Sequence, residues 1–335
     1  VDLCKGLKNT TIETLVKKMS FSISSIKSKS EIEKALSLVA RIFSTHTSIS
    51  ETNFRKNKKL EWSGFDFFKD DDIIVAKDSD IVIGVIRLVY RIVHIKGQPY
   101  KTAGFTDVCI NKEYREKGIS KKLMKYAINK ANFNCDIGLL FARKHVDYYY
   151  NKFGFWGLST YNKGIIRNTL YNDTTASFKN VKSNDLSYCN YFYEKSYLFL
   201  SGFMERTPKY WKYILEKCHQ LNFNFNVIFK NNELCGYFIY KKNIIYEIAF
   251  SSLINIKDIL ASFELDADIQ IEADPEHVVF TQLQLFDFTI HHRHCIFGGH
   301  MLKILKKQDH LSFQDTCDFL KINNTTINFN TLNQF

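Results

Sequence analysis

A chain of 335 residues with 45% hydrophobic content can bury a sizeable core and is long enough for two domains, and it contains no apolar run of the roughly 18 residues needed to cross a bilayer. Its start, VDLCKGLKNTTIETLVKKM, carries Lys5 and Lys8 without the apolar stretch of a signal peptide, and its eight cysteines stand singly with no C-x-x-C pair; the expectation is a cytoplasmic protein with reduced thiols and no membrane association. The balance of 46 Lys+Arg against 35 Asp+Glu gives +11, which favours an anionic ligand or partner without choosing its kind.

In chain order, FSISSIK (21–27) alternates like a strand, and EIEKALSLVARIF (31–43) has apolar residues at helical spacing behind Ser30, a candidate cap. DIIVAKDSDIVIGVIRLVYRIVHI and TAGFTDVCI read as three strands joined by turns at 78–80 and 96–99. A helix follows in which Ile119, Leu123, Ala127, Ile128 and Ala131 share one face, with Lys121, Lys122, Lys125 and Lys130 toward water. CDIGLLFA (135–142) is apolar enough for a strand buried on both faces, and HVDYYYNKFGF (145–155) reads as a short helix ended at Gly154 before a further strand at 154–159. The order over 21–165 is that of a mixed α/β unit.

YNDTTASFKN (171–180) reads as a linker. Helical patterns at 184–199 and 207–219, a strand series through FNVIFKNNELCGYFIYKKNIIYEIAFSS, a helix near 256–263 and the strand DIQIEA then repeat the element order of the first half. The expected division is a lead segment 1–20, a first unit 21–170, a second unit 171–308 and a C-terminal helix or tail 309–335.

The stretch NKEYREKGISKKLM holds the chemistry. A helix start offers unpaired N–H groups and partial positive charge; Gly118 lets an anion approach the backbone there, and Arg115 and Lys117 add charge. A solvated loop before an amphipathic helix is the bland alternative. There is no G-x-x-x-x-G-K-[ST] and no G-x-G-x-x-G, which disfavours a triphosphate or dinucleotide site. Arg115, Gly118 and Ser120 do resemble the [QR]-x-x-G-x-[GA] loop of the GCN5-related N-acetyltransferase (GNAT) superfamily, with Ser in the last small position. Tyr149-Tyr150-Asn151-Lys152-Phe153-Gly154-Phe155 matches that superfamily's second signature, in the right order. Within it, TAGFTDVCINKEYREKGISKKLM and YYNKFGF look like the Eis-like enzymes, and Arg206–Trp211 and Gly299–Leu305 are loosely similar to their central domain.

The resemblance implies tandem GNAT-like units with mixed sheets, the second degenerate, a short C-terminal extension, and acetyl-coenzyme A as cofactor. Residues Arg115, Glu116, Lys117, Gly118, Ile119 and Ser120 would hold the pyrophosphate, and the backbone of Val108, Cys109 and Ile110 the pantetheine arm. Tyr150 would be the general acid, its bland alternative being a core tyrosine. The glutamate that many members carry falls on Gly104, which leaves two candidates for the base: the terminal carboxylate of Phe335, as in the Eis-like pattern, and Asp107, which is otherwise a strand-end charge facing solvent. The expected acceptor is a small-molecule amine, most simply an aminosugar, its nucleotide-linked form or an aminoglycoside; peptide amines and a noncatalytic binding module are the alternatives.

His291-His292-Arg293-His294-Cys295 alternates its side chains across a strand and gives no set of four convergent ligands, so no metal is expected. Basic residues interleaved with aromatics, as in YKKNIIY, come without a nucleic-acid-binding motif, which disfavours that partner; homo-oligomerisation is left open.

Overall fold

The computed structural model describes residues 20–63, 69–143, 146–157, 161–169, 174–274, 276–286, 288–295, 299–305 and 312–319. Strand β1 (Ser22–Ser25) leads into helix α1 (Lys29–Ser44). The cap is Ser28 rather than Ser30: its hydroxyl accepts from the Glu31 N–H at 3.2 Å while the Glu31 carboxylate accepts from the Lys27 N–H at 2.7 Å, a reciprocal pair that fixes the helix start. Helix α2 (Glu51–Ser63) follows, then the meander β2 (Ile73–Asp78), β3 (Ile81–Ile95) and β4 (Gln98–Ile110), helix α3 (Ile119–Asn132), β5 (Ile137–Ala142), α4 (Asp147–Asn151) and β6 (Trp156–Gly157).

Strand β2 shows why this sheet is apolar throughout. Ile73 and Val75 pack with α1 and Trp62 on one face, while Ile74 and Ala76 pack with α3 on the other, so both sides of the pleat are covered. On α3, Lys121, Lys122 and Lys125 are exposed, but Lys130 is half-buried and pairs with Asp71 at 3.3 Å.

The remaining elements are β7 (Tyr161–Arg167), β8 (Ala176–Asn180), α5 (Leu186–Tyr197), β9 (Phe203–Met204), α6 (Pro208–Gln220), β10 (Asn224–Lys230), β11 (Glu233–Lys241), β12 (Ile244–Phe250), α7 (Ile256–Leu260), β13 (Asp268–Ile271), α8 (Val278–Leu285), β14 (His291–Cys295), β15 (Gly299–Ile304) and α9 (Phe313–Phe319). Residues 176–180 are therefore a sheet-edge strand and not linker; β8 pairs antiparallel with β10.

Among the described residues the strands form two sheets, ordered β1-β2-β3-β4-β5-β15-β6 with β9 on β3, and β8-β10-β11-β12-β13-β7-β14. The two orders mirror each other, and the halves exchange a strand. β7, from the first half, lies between β13 and β14; β15, from the second, lies between β5 and β6. A division of the chain at 170 and 308 cuts across this exchange. Each sheet has one parallel pair among these neighbours, β4 with β5 and β12 with β13.

The second half is anchored by the segment from Arg206 to Trp211. The Arg206 guanidinium donates to both Glu247 oxygens, at 2.7 and 2.6 Å, and lies 3.9 Å from the Tyr193 ring centroid. Thr207 caps α6, Pro208 opens it, and Tyr210 and Trp211 enter the core.

Leu302 of β15 is buried with Val93, Ile95, Ile137 and Leu139 of the first half. Leu302→Ala is expected to cost about 2–5 kcal/mol in urea unfolding, through the packing of the first sheet. His277 and His300 add an acid limb to stability. Burial pulls their folded-state pKa values to about 4 and about 3, below the usual 6.5. The unfolded chain thus takes up protons first, and the stability present above pH 6.5 falls as the pH drops toward 4. Unfolding midpoints measured between pH 7 and 4.5 should decline, and His277→Asn should flatten that decline.

Candidate active site

Strands β4 and β5 pair in parallel only from Thr102 to Phe105 against Ile137 to Leu140. Beyond Phe105 they part. At the parting, β4 carries an irregularity: Val85 faces Cys109 and Arg87 faces Thr106, so Asp107 and Val108 together oppose Ile86. Asp107 has φ of +54°, a left-handed conformation, as bulge residues often do. Gly104, the position without the glutamate, is buried and pairs with both Val89 and Leu139.

A cavity of about 770 Å³ fills the gap. Its walls include residues 105–110 of β4, Leu140 and Phe141 of β5 with Arg143 just after it, the loop residues Arg115, Glu116, Gly118, Ile119 and Ser120, both Tyr149 and Tyr150, and Ile42, Phe43, His46, Phe54 and Lys58 from α1, α2 and the turn between them. Of the candidate residues, all but Lys117 and Phe335 are thus brought to one cavity. Lys117 turns back, donating to the Glu113 carbonyl at 2.9 Å and lying over the Tyr114 ring. Phe335 lies outside the described residues.

The loop before α3 is open and uncapped. Glu116 and Gly118 both have positive φ, +63° and +72°, which curls the backbone before α3, and no side chain caps the helix. The first intrahelical bond runs from Lys122 N–H to the Gly118 carbonyl, leaving the N–H groups of the first turn toward the cavity end. A Cβ on Gly118 would meet nothing within 4 Å, so the space over the glycine is open.

Tyr150 is half-buried beside Tyr149, whose ring centroid is 5.2 Å away in an edge-to-face arrangement. Burial, then the neighbouring Tyr149 and Cys109, push its hydroxyl above the ordinary tyrosine range. Gly154, at φ of +78°, lets the chain turn back so that the Phe153 and Phe155 N–H groups both donate to the Tyr150 carbonyl. That turn holds α4 in place despite its length.

Asp107 is not a solvent-facing strand end. Its side chain is 2% exposed, and its carboxylate accepts from Trp62 Nε1 at 2.9 Å and Arg87 Nε at 3.0 Å while pairing with Lys58 Nζ at 2.9 Å. Burial would raise its pKa, but Lys58 and Arg87 outweigh burial and hold it well below the usual carboxylate range. A carboxylate so stabilised as an anion is a poor proton acceptor. Lys58, Glu61 and Trp62 escape a periodicity reading because α2 is mostly polar and buries only Trp62, and Arg87 is a buried cation within the apolar strand β3.

The second half has a counterpart to the loop, and it is closed. Helix α7 begins at Asn255, whose N–H donates to the Asp258 carboxylate at 3.2 Å; Asp258 also accepts from Thr174 and from Lys230, each at 3.0 Å. The donors at this helix start are satisfied from within the chain, the Ile256 N–H by Gln282 Oε1 at 2.8 Å. Another cavity, of about 840 Å³, lies at the far end of α3 against α6, lined by Tyr90, Arg91, Lys130, Phe133 and Tyr210 among others, and it touches none of the loop residues.

Residues 22–158 match the family model described as the acetyltransferase (GNAT) domain. This part of the chain is a GNAT acetyltransferase domain. Members of this family generally bind acetyl-coenzyme A, and the match makes this domain an acyltransferase by class. No curated protein matches the chain in sequence. In fold, it is similar to a GCN5-related N-acetyltransferase from Anabaena variabilis, with 14% identity, 86% of this chain and 73% of the other covered, and a TM-score of 0.66. It is similar also to a probable N-acyltransferase from Enterococcus faecalis, at 14%, 86% and 73%, with a TM-score of 0.64. Eis1 from Mycobacterium abscessus aligns at 12% identity over 85% of this chain and 74% of that one, with a TM-score of 0.59. Among the described residues, no group of His, Cys, Asp or Glu fits a metal, and no helix is long and apolar enough to cross a membrane. His292, His294 and Cys295 lie on β14, paired with β7.

The GNAT loop yields a specific expectation. Gly118→Val must adopt the same positive φ with a branched side chain and fills the open space; coenzyme A affinity by calorimetry should fall at least about tenfold, on the order of 1.4 kcal/mol.

Proposed function

We propose that the protein transfers an acetyl group from acetyl-coenzyme A to the primary amine of a small molecule, with Tyr150 as general acid. The observation that supports it best is the single cavity that joins the uncapped start of α3, the parted strand β4 and Tyr150. The donor set fits the cofactor: an open anion cradle at 115–120 for the pyrophosphate, and the edge of β4 at Val108, Cys109 and Ile110 for the pantetheine arm. When bound, acetyl-coenzyme A supplies the acetyl group as a thioester.

The chain's own part is positional and protonic. Backbone N–H groups on the β4 edge orient and polarise a carbonyl placed against them, and the apolar walls at Phe105, Leu140 and Phe141 exclude water. Tyr150 holds its proton at the hydroxyl across the physiological range, because burial disfavours the phenolate, and delivers it to the leaving sulfur. Asp107 stays ionised but is committed to Lys58 and Arg87, so we assign removal of the amine's proton to solvent and not to Asp107.

We place the acceptor at the end of the cavity lined by Ile42, Phe43, His46 and Phe54. Its aromatic side chains suit a sugar face or another flat body, and the overall +11 charge disfavours polyamines, which keeps an aminosugar or its nucleotide-linked form first. The second half is proposed as a degenerate copy that supports the first and binds no cofactor, since Asp258 closes its helix start.

Tyr150→Phe tests the acid. It should lower kcat about 10²–10⁴-fold with the KM for acetyl-coenzyme A little changed. Steady-state kinetics on a panel of aminosugars and other amines measures this, and an unchanged kcat would remove Tyr150 from the role.

A further inference from the structure

We propose that helix α2 is a clamp on the β4 bulge, and that Lys58 is the positioning residue through which the helix sets where the backbone of Val108 to Ile110 meets the acyl donor. The inference rests on reading the cavity as the acetyl-coenzyme A site.

A non-glycine residue at φ of +54° is held there only when its surroundings over-determine it, and three groups do so at Asp107. Lys58 Nζ, Trp62 Nε1 and Arg87 Nε converge on one carboxylate at 2.9, 2.9 and 3.0 Å. Two of the three come from α2. Glu61, also from α2, completes the cluster by accepting from Arg87 at 2.6 Å and from Lys58 at 2.9 Å, so that two cations face two carboxylates and no charge is left over. Burial lowers the Lys58 pKa, but Asp107 and Glu61 outweigh it and hold the ammonium protonated, which suits a clamp and not a base.

The stripe Phe54, Lys58, Glu61 and Trp62 follows helical spacing along a single face of α2. Phe54 and Lys58 line the cavity at its acceptor end, while the residues the clamp fixes lie one and more positions beyond Asp107 on the donor side. One rigid helix therefore ties the two ends of the site together. The pyrophosphate loop belongs to a different element, α3, and makes none of these contacts.

Removing the Asp107 carboxylate would strand two cations, and such a variant is liable to misfold. Lys58→Met and Trp62→Phe leave the carboxylate with partners, and Lys58→Arg keeps the charge. Hydrogen exchange read on the peptide spanning 102–112 should be roughly tenfold faster in Lys58→Met, with the 119–132 peptide unchanged. The dissociation constant for coenzyme A should stay within about threefold while kcat falls about 10- to 100-fold, as expected when reacting groups are misplaced and not lost. Lys58→Arg should recover most of both effects, and Trp62→Phe should show them more weakly. Unchanged exchange at 102–112 in Lys58→Met would overturn the clamp. So would a joint fall of kcat, coenzyme A affinity and thermal midpoint that Lys58→Arg does not rescue, which is the mark of a merely structural role. Should the wild-type protein transfer no acetyl group to any amine, the acyl-transfer reading fails alone, and the exchange measurement still decides the clamp.

Discussion

The site exists because two neighbouring strands stop pairing. Up to Phe105 and Leu140, β4 and β5 share an ordinary parallel ladder; past that point the bulge at Asp107 and Val108 turns β4 away, and the ladder's hydrogen-bonding groups face a cavity instead of a strand. Backbone polar groups taken out of a sheet must find other partners or carry a desolvation cost, so an open β4 edge inside an apolar cavity is in effect a binding surface for something that also donates and accepts. Every other feature of the site is arranged around that opening. The start of α3 closes one end, Tyr150 comes in on α4, and α1 and α2 wall the opposite side.

The two halves show how a shared element order can carry different roles. Both sheets hold a parallel pair followed by a strand borrowed from the other half, so neither core is complete without the exchange. What differs is local. The first half leaves α3 uncapped behind Gly118; the second supplies Asp258, fixed by Thr174 and Lys230, to the start of a much shorter helix. Asp258, held by Lys230, and Gln282 satisfy the backbone donors at that helix start from within the chain. The buried pair of Arg206 and Glu247 fixes the core of the second half.

Much of this architecture was legible because it rests on short-range rules. Alternation and apolar runs located β1 to β5 and β10 to β13, helical spacing located α1, α3, α5 and α6, and the sequence from Arg115 to Ser120 marked the loop that the fold does place at a cavity. The failures share a cause. Residues 51–63 form a mostly polar helix with one buried side chain, so apolar periodicity has little to register, and with α2 go Lys58, Glu61 and Trp62. Strand β8 is an edge strand with a polar pattern, ASFKN, that reads as linker until its partner β10 is known. The crossing of β7 and β15 between sheets is a long-range pairing choice, which no local window encodes. Asp107 reads from the sequence as a candidate base or a solvent-facing strand end, because its burial and its partners depend on residues 20 and 49 positions away.

The titration directions sort the two ionisable groups first considered for catalysis. Tyr150 and Asp107 both line one cavity, and their surroundings push them apart: burial raises the phenol, while two cations depress the carboxyl despite burial. A phenol kept protonated can act as an acid, and a carboxylate kept ionised by fixed partners cannot usefully take up a proton. The same lysine that disqualifies Asp107 as a base makes it an anchor, since a charge that never titrates holds its partners at every working pH. The contacts that keep Asp107 ionised are thus the same ones that converge on the bulge opening β4, while Tyr150, kept protonated by burial, stands on a separate element, α4.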